Sequence, residues 1–592
     1  EAAIDLCEMD RLNATGQVGA GESVAVRAFR NADDSRLQFR FKLYRRGPSV
    51  PLSDVLPIMA DMGLKTLEEY GYPIRPLGEE EIHVHEFLME DPRGEALVFA
   101  DVKGPFERAF AAVWNGRTES DGFNRLVVEL GMEWREAALI RTLARYRQQT
   151  GLDPSQSVQE EALREYPDLS RALLSLFKAR FDPADGAVEA REGAVAELNA
   201  KITTLLQDVK SLDHDKALRR MAALIGAIKR TNYFQLGSDG LAKPHISIKI
   251  ASSELEDLPL PKPYREIFVW APHVEGVHLR FGPVARGGLR WSDRRDDFRT
   301  EVLGLVKAQQ VKNAVIVPVG SKGGFYPKQL PRTTDREAIQ GEAIRAYRTF
   351  LSGLLDITDN IAADGSVARP AHVVAWEGDD PYLVVAADKG TATFSDIANG
   401  VSAAYGFWLG DAFASGGSIG YDHKAMGITA RGAWEAVKRH FREIGPRAKV
   451  WDIQTEPFTM VGVGDMSGDV FGNGALLSKA TKLIAAFDHR DIFIDPTPDP
   501  AASWTERKRL FDLPRSSWQD YDKGLISQGG GVFSRSAKSI QLTPEIKAAL
   551  DITEDELDPV SLIRAILKAP ADLLYLGGIG TYVKSAAETD AQ

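Results

Sequence analysis

Arg286, Lys312 and Lys322 all lie in FGPVARGGLRWSDRRDDFRTEVLGLVKAQQVKNAVIVPVGSKGGF, residues 281–325, and each stands beside a feature that would fix its place. Gly287 and Gly288 follow Arg286. Lys312 ends a helical repeat of Phe298, Val302, Leu305, Val306 and Gln309. Lys322 comes after the Val- and Ile-rich run 314–319, which predicts a strand buried on both faces. Gly320, Gly323 and Gly324 surround it, and residues without Cβ would let a ligand approach the backbone. Three cations brought to one place suit an anionic substrate. A carboxylate joins them: the apolar run YLVVAA, residues 382–387, predicts a strand that delivers Asp388 at its C-terminal end, where α/β sheets place ligand-handling groups. An N-cap is the other ordinary use of such an aspartate. SKGG lacks the glycine spacing and following hydroxyl of a phosphate loop.

A second constellation lies near the C-terminus. PFTMVGV, residues 457–463, predicts a strand, Gly462, Gly464, Asp465 and Gly468 form a GxGDxxG turn, and a helix is expected over 474–481. A second strand over 483–487 then delivers Asp488. Glycines after a strand permit a tight turn and let backbone N–H groups meet a pyrophosphate. The acid after the second strand would accept the adenosine ribose hydroxyls and repel a 2′-phosphate, so NAD is expected over NADP. Asp491 and Asp495 compete with Asp488 for that role. No metal site is expected: His83 and His85 share one strand face with no third ligand in view, and HExxH and CxxC patterns are absent.

GPxxxGGLRW, the Lys312-Asn313 pair and GxKGG resemble the glutamate/leucine/phenylalanine/valine dehydrogenase superfamily. GGLRWSDRRDDFRTEVLGL and GITARGAWEAV are similar to its large bacterial NAD-specific glutamate dehydrogenases. The resemblance implies oxidative deamination of L-glutamate to 2-oxoglutarate and ammonium. Lys312 would hold the α-carboxylate, Lys322 and Asp388 would carry proton transfer and water activation, and Thr429 would touch the nicotinamide carboxamide. Arg286 stands where smaller relatives have a lysine that meets the distal carboxylate; a guanidinium can do so bidentately, and Arg290 and Arg294 are alternatives. Another amino-acid dehydrogenase of this superfamily and a non-catalytic amino-acid-sensing module are the competing functions.

These residues need a scaffold of several domains, and 592 residues supply one. The expected class is α/β multidomain. Residues 1–95 resemble an ACT-like α+β regulatory or assembly domain in βαββ order, and 96–235 form a helical domain. A substrate-binding catalytic domain follows over 236–430, then a Rossmann-type NAD-binding domain over 431–592 that reads as truncated. In RLQFRFKLYR, residues 36–45, Leu37, Phe39, Phe41 and Leu43 alternate with mostly polar residues, as in a half-buried strand. A net charge of −12, from 72 basic against 84 acidic residues, argues against nucleic acid or an anionic membrane as partner. The single cysteine, Cys7, fits a reducing cytoplasm, and no apolar run reaches the ~18 residues of a membrane span. The family suggests a homo-oligomer.

Overall fold

The alternating phenylalanines of residues 36–45 anchor the first layer of the structure, a computed structural model that describes residues 2–15, 24–75, 80–94, 98–153, 155–312, 319–388, 391, 393–418, 420–444, 451–578, 585 and 587. The chain divides into two units, Glu1–Ile419 and Gly420–Gln592. In the first, strands β1 (Val24–Phe29), β2 (Gln38–Arg46), β3 (Lys65–Ile74) and β4 (Ile82–Glu90) form an antiparallel sheet in the order β1-β2-β4-β3. Helix Leu52–Asp61 joins β2 to β3, as expected, while β1 is a strand beyond the expected βαββ order. Phe39 and Phe41 are fully buried, and Phe106 of helix Phe99–Trp114 meets both rings edge-on at 5.2 and 5.1 Å. The opposite face is not the solvated one that the polar residues of β2 suggest. Lys42 and Tyr44 are buried there, because helix Ala2–Thr15 lays Met9 and Leu12 over the strand. Asp5 of that helix accepts from Lys42 Nζ at 2.9 Å and from the Tyr44 hydroxyl at 2.5 Å.

Helices then run from Phe99–Trp114 to Leu212–Ala227. Among them Trp134–Gln149 is buried all round, which its charged sequence conceals. Its arginines are paired: Arg141 with Asp121, Arg145 with Glu275 and Arg147 with Asp153.

The third layer is an eight-stranded mixed sheet. Strands β5 (Ile228–Thr231), β6 (Ile246–Ile250), β7 (Arg265–Ala271) and β8 (Val274–Arg280) are antiparallel neighbours. β9 (Ala285–Arg286), β10 (Gly288–Trp291) and β11 (Val319–Pro327) follow, with β11 between β8 and β10. After a small ribbon of β12 (Asn360–Ile361) and β13 (Val367–Ala368), β14 (Ala386–Ala387) closes the edge beside β10. Helix Phe298–Lys312 packs Val302 and Val306 into the core on one face. Helix Arg336–Leu355 covers the other through Phe350, so close that a Cβ on Gly276 would lie 2.5 Å from its ring.

The second unit holds a five-stranded sheet of β15 (Phe458–Val463), β16 (Thr481–Phe487), β17 (Asp491–Ile494), β18 (Gly531–Ser534) and, after the ribbon of β19 (Ile540–Gln541) and β20 (Glu556–Leu557), β21 (Leu573–Leu576). Its order is β18-β17-β16-β15-β21; β15 runs parallel to both β16 and β21, while β17 and β18 are antiparallel. Helices Ile428–Ile444, Asp469–Gly474 and Pro500–Asp512 supply Trp434, Phe471 and Leu510 to one face, and Pro544–Leu550 and Pro559–Lys568 supply Ile546 and Ile566 to the other. Among the described residues no helix is long and apolar enough to cross a membrane.

Candidate active site

Lys322 lies in the middle of β11, not at its end. The glycines around it have a reason other than ligand approach. A Cβ on Gly323 would sit 2.4 Å from Leu289 Cδ2 and one on Gly324 2.6 Å from Val302 Cγ2, so they let β10 and helix Phe298–Lys312 close on the strand. Gly287 and Gly288 do the same for their neighbours, with Cβ positions 1.5 Å from the Ser321 carbonyl oxygen and 2.5 Å from that of Ala387. β10, β11, β14 and helix Phe298–Lys312 are thereby packed closely against one another.

That packing brings Lys322 to Asp388. β10 pairs in parallel with both β11 and β14, and Asp388 directly follows β14. The Lys322 ammonium donates to Asp388 Oδ2 at 3.0 Å, with both side chains about four-fifths buried. The Asp388 backbone N–H donates to Thr391 Oγ1, whose hydroxyl donates to the Leu289 carbonyl at 2.6 Å, which pins the loop to β10. Of the expected strand 382–387 only Ala386–Ala387 is extended in the sheet, yet Leu383, Val384 and Val385 are buried as their types require.

Two further charges complete the cluster. Arg290 Nη1 donates to Glu301 Oε1 at 3.0 Å, while its Nε, buried without a hydrogen-bond partner among the described residues, lies 3.6 Å from Asp388 Oδ2. Ser292 Oγ donates to the other Glu301 oxygen. Glu301 escapes a reading of the sequence because an acid in a helix's first turn is ordinary. At the end of β8, Arg280 donates to the carbonyls of Pro283 at 3.3 Å and Tyr382 at 2.9 Å and pairs with Asp380. One buried guanidinium thus ties the segment leading to β9 to the segment leading to Asp388. Asp380 also pairs with Lys249, which together with Arg230 and Arg265 holds Glu377 down at about 2 despite burial, which alone would raise it.

The remaining expected substrate ligands are less closely gathered. Arg286 is exposed on β9 opposite Gly320, and its carbonyl accepts from Gln309 Nε2 at 3.0 Å. Arg294 pairs with Asp297 at the surface, and Arg290 is bound to Glu301. Lys312 closes its helix, but its side chain lies outside the described residues, as does nearly all of the strand expected over 314–319. His83 Nδ1 contacts the Gly47 carbonyl at 2.8 Å, and His85 sits between Glu69 at 2.8 Å and Ser49 at 3.1 Å.

In the second unit β15, β16 and β21 end at one edge, and the glycine turn sits there. Gly464 has φ +142, and its N–H donates to the Phe487 carbonyl at 2.8 Å, joining the ends of β15 and β16. Cβ atoms on Gly462 and Gly464 would lie 2.4 and 2.7 Å from Phe471. One on Gly468 meets only the Asp465 carbonyl oxygen at 3.5 Å. The helix after the turn is Asp469–Gly474, not 474–481; Thr481 already begins β16. Between them Ser478 Oγ donates to the Ile453 carbonyl and the Trp504 indole to that of Leu476, which satisfies a chain that leaves the helix early.

Asp465 accepts from the N–H groups of Ser467 at 2.8 Å and Gly468 at 3.1 Å and from the Ser467 hydroxyl, so it shapes the turn from inside. Asp488, buried after β16, accepts from the Arg490 and Asp491 N–H groups through Oδ1 at 2.7 Å each, and its Oδ2 has no hydrogen-bond partner among the described residues. Its competitors also have partners. Asp491 accepts from Gln519 Nε2 at 2.8 Å, and Asp495, its carboxyl pushed up by burial, accepts from Ser527 through Oδ1, while its Oδ2, like that of Asp488, is buried without a hydrogen-bond partner among the described residues. The Trp518 indole, which the sequence did not single out, donates to the Gly464 carbonyl at 3.1 Å. Thr429 is exposed in the first turn of helix Ile428–Ile444, whose entry is held against Asp469–Gly474 by Asn473 Nδ2 donating to the Lys424 carbonyl at 2.8 Å.

Comparisons with known proteins follow this layout. Residues 201–592 match the bacterial NAD-glutamate dehydrogenase catalytic domain, 118–183 the glutamate dehydrogenase helical motif 3 and 23–102 the glutamate dehydrogenase ACT3 domain. The chain is 52% identical over 98% of its length to an NAD-specific glutamate dehydrogenase of Halomonas elongata, covering 35% of that protein. It is 54% identical to proteins of the same name from Pseudomonas aeruginosa, over 94% of this chain and 34% of the relative, and from Mycobacterium tuberculosis, over 92% and 34%. It therefore spans about a third of the length of the curated relatives it matches. It is a multidomain α/β chain with ACT3-like, helical-motif and catalytic parts, and it belongs to the bacterial NAD-specific glutamate dehydrogenase family.

Proposed function

We propose that this chain carries the chemistry of an NAD-dependent glutamate dehydrogenase: L-glutamate, NAD and water give 2-oxoglutarate, ammonium, NADH and a proton. The observation that carries the reading is the 3.0 Å hydrogen bond between Lys322 and Asp388 at the meeting point of β10, β11 and β14. Asp388 takes a proton from the substrate's ammonium, which frees the nitrogen lone pair needed for the C=N bond. NAD, when bound, accepts the hydride from Cα. Lys322 then assists water in adding to the resulting iminium carbon, and the Asp388 carboxyl, protonated in the first step, returns that proton to the departing nitrogen. Arg290 and Glu301 hold the pair in place, one on either side of the charge balance. Lys312 is proposed for the α-carboxylate and Arg286 for the distal one; a guanidinium left unpaired by an apolar side chain would penalise leucine or valine.

The second unit fits a dinucleotide, and we infer a Rossmann-type site there. The cradle is Gly462, Gly464, Asp465 and Gly468, where side chains at the first two positions would strike Phe471. Asp488 Oδ2, buried without a hydrogen-bond partner among the described residues, is proposed as the acceptor for a ribose hydroxyl. Thr429 is proposed for the carboxamide end. A panel of amino acids offered with NAD to the full-length protein, followed by NADH absorbance, tests the reading. Glutamate is expected to turn over fastest; faster leucine or valine would assign another amino acid, and no turnover of any would favour a sensing module.

A further inference from the structure

The turn after β16 carries more positive charge than an NAD site requires. Arg490 Nη2 lies 3.5 Å from Asp488 Oδ2 and 3.6 Å from an Asp465 carboxylate oxygen, too long for hydrogen bonds, and reaches the Ser516 carbonyl at 3.4 Å. Its side chain is nearly half exposed, so few contacts hold it. From the neighbouring strand end, Arg535 Nη1 donates to the Asp488 carbonyl at 2.7 Å, and the Arg535 N–H donates to that of Arg490 at 2.9 Å. His489 brings a ring nitrogen within 4.8 Å of the Asp465 and Asp488 carboxylates. The acceptor proposed for the ribose, Asp488, therefore has two guanidiniums and an imidazole near it.

We propose that Arg490 is a coenzyme-specificity residue, which reads the 2′ position of the adenosine ribose against Asp488, with Arg535 as its second. This rests on the reading of the glycine turn as a dinucleotide site. A carboxylate alone rejects a 2′-phosphate by repulsion and by offering no donor. A guanidinium 3.5 Å from it offsets the repulsion and supplies a fork that matches phosphate oxygens. The Asp488 and Asp465 carboxylates attract Arg490 without a hydrogen bond to it. Preference for NAD then depends on that attraction keeping the guanidinium on Asp488, and releasing it uncovers a latent 2′-phosphate site.

The test is the ratio of dissociation constants for NADPH and NADH, read by energy transfer from protein fluorescence to the bound nicotinamide in the full-length protein. Arg490→Ala is expected to raise the ratio about tenfold, and Asp488→Ser to lower it by at least about tenfold. In Asp488→Ser/Arg490→Ala that gain is expected to vanish. Arg490→Lys, which keeps the charge, holds the ratio nearer wild type, and Arg490→Gln repeats the Ala arm should Ala fail to fold. A ratio that Arg490→Ala and Arg490→Gln leave within about twofold of wild type overturns the proposal, as does a double variant that keeps the full gain of Asp488→Ser. Wild-type protein that binds neither nucleotide overturns both this inference and the dinucleotide reading; wild type that binds NADH while the ratio stays fixed overturns this inference alone.

Discussion

At Asp388 a lysine and an arginine meet one carboxylate, and the hydrogen bond from Lys322 fixes which oxygen faces the lysine. Asp388→Asn keeps the shape and loses the base. Glutamate-dependent kcat is expected to fall roughly a hundredfold to ten-thousandfold, while NADH binding to the second unit, measured by fluorescence titration, stays within a few-fold. Arg290→Leu should act more mildly. It leaves the Glu301 and Asp388 carboxylates without the guanidinium that lies between them, and a drop in kcat of about tenfold is expected with steady-state kinetics as the check. At this scale the sequence made Lys322, Asp388 and Asp488 visible, because glycine neighbours and apolar runs point to them. Arg290's engagement with Glu301 was not visible, since a cation eleven residues before an acid has no local signature.

Elements explain why some residues could be placed and others misplaced. The turn after β15 was legible because Gly462, Gly464 and Gly468 end an apolar run, and Gly464 adopts the φ of +142 that glycine permits. The helix after it was not. GALLSKAT, residues 474–481, carries helix formers, but Gly472 and Gly474 lie against Phe511 and Tyr575, and side-chain hydrogen bonds take the chain out of the helix at residue 475. A sharp contrast follows. Gly464→Ala combines a strained φ with overlap on Phe471 and is expected to cost roughly 2–4 kcal/mol of stability and abolish NADH binding. Gly468→Ala meets no side chain and sits at φ −74, so its effect on the unfolding midpoint should be within about 1 kcal/mol. Chemical denaturation of both variants checks the pair. Equal destabilisation by the two would contradict the packing account.

For the whole molecule, buried charge is what composition concealed. The arginines of helix Trp134–Gln149 are buried in pairs with Asp121, Asp153 and Glu275, partners that no helical periodicity reveals. His278, in β8 opposite Gly323, is buried with neither ring nitrogen hydrogen-bonded among the described residues. Burial and then the Arg280 guanidinium push its pKa down to about 3. An unfolded chain takes up that proton near pH ~6.5, so between there and about 3 the unfolded state binds more protons. The stability from the neutral ring is complete above ~6.5 and is lost as pH falls, by about 2 kcal/mol at pH ~5. Glu377, held at about 2, adds a second loss below pH ~4.5. Unfolding free energies from pH 7 to 5 should show a clearly flatter slope in His278→Phe than in wild type; parallel slopes would refute this origin.

The most direct measurement of the central claim is glutamate-dependent NADH formation in a single turnover by the full-length protein, wild type beside Lys322→Ala, with NADH binding followed on the same samples. The account predicts that the variant still binds NADH but forms it at least about a thousandfold more slowly. Single-turnover formation near the wild-type rate would contradict it.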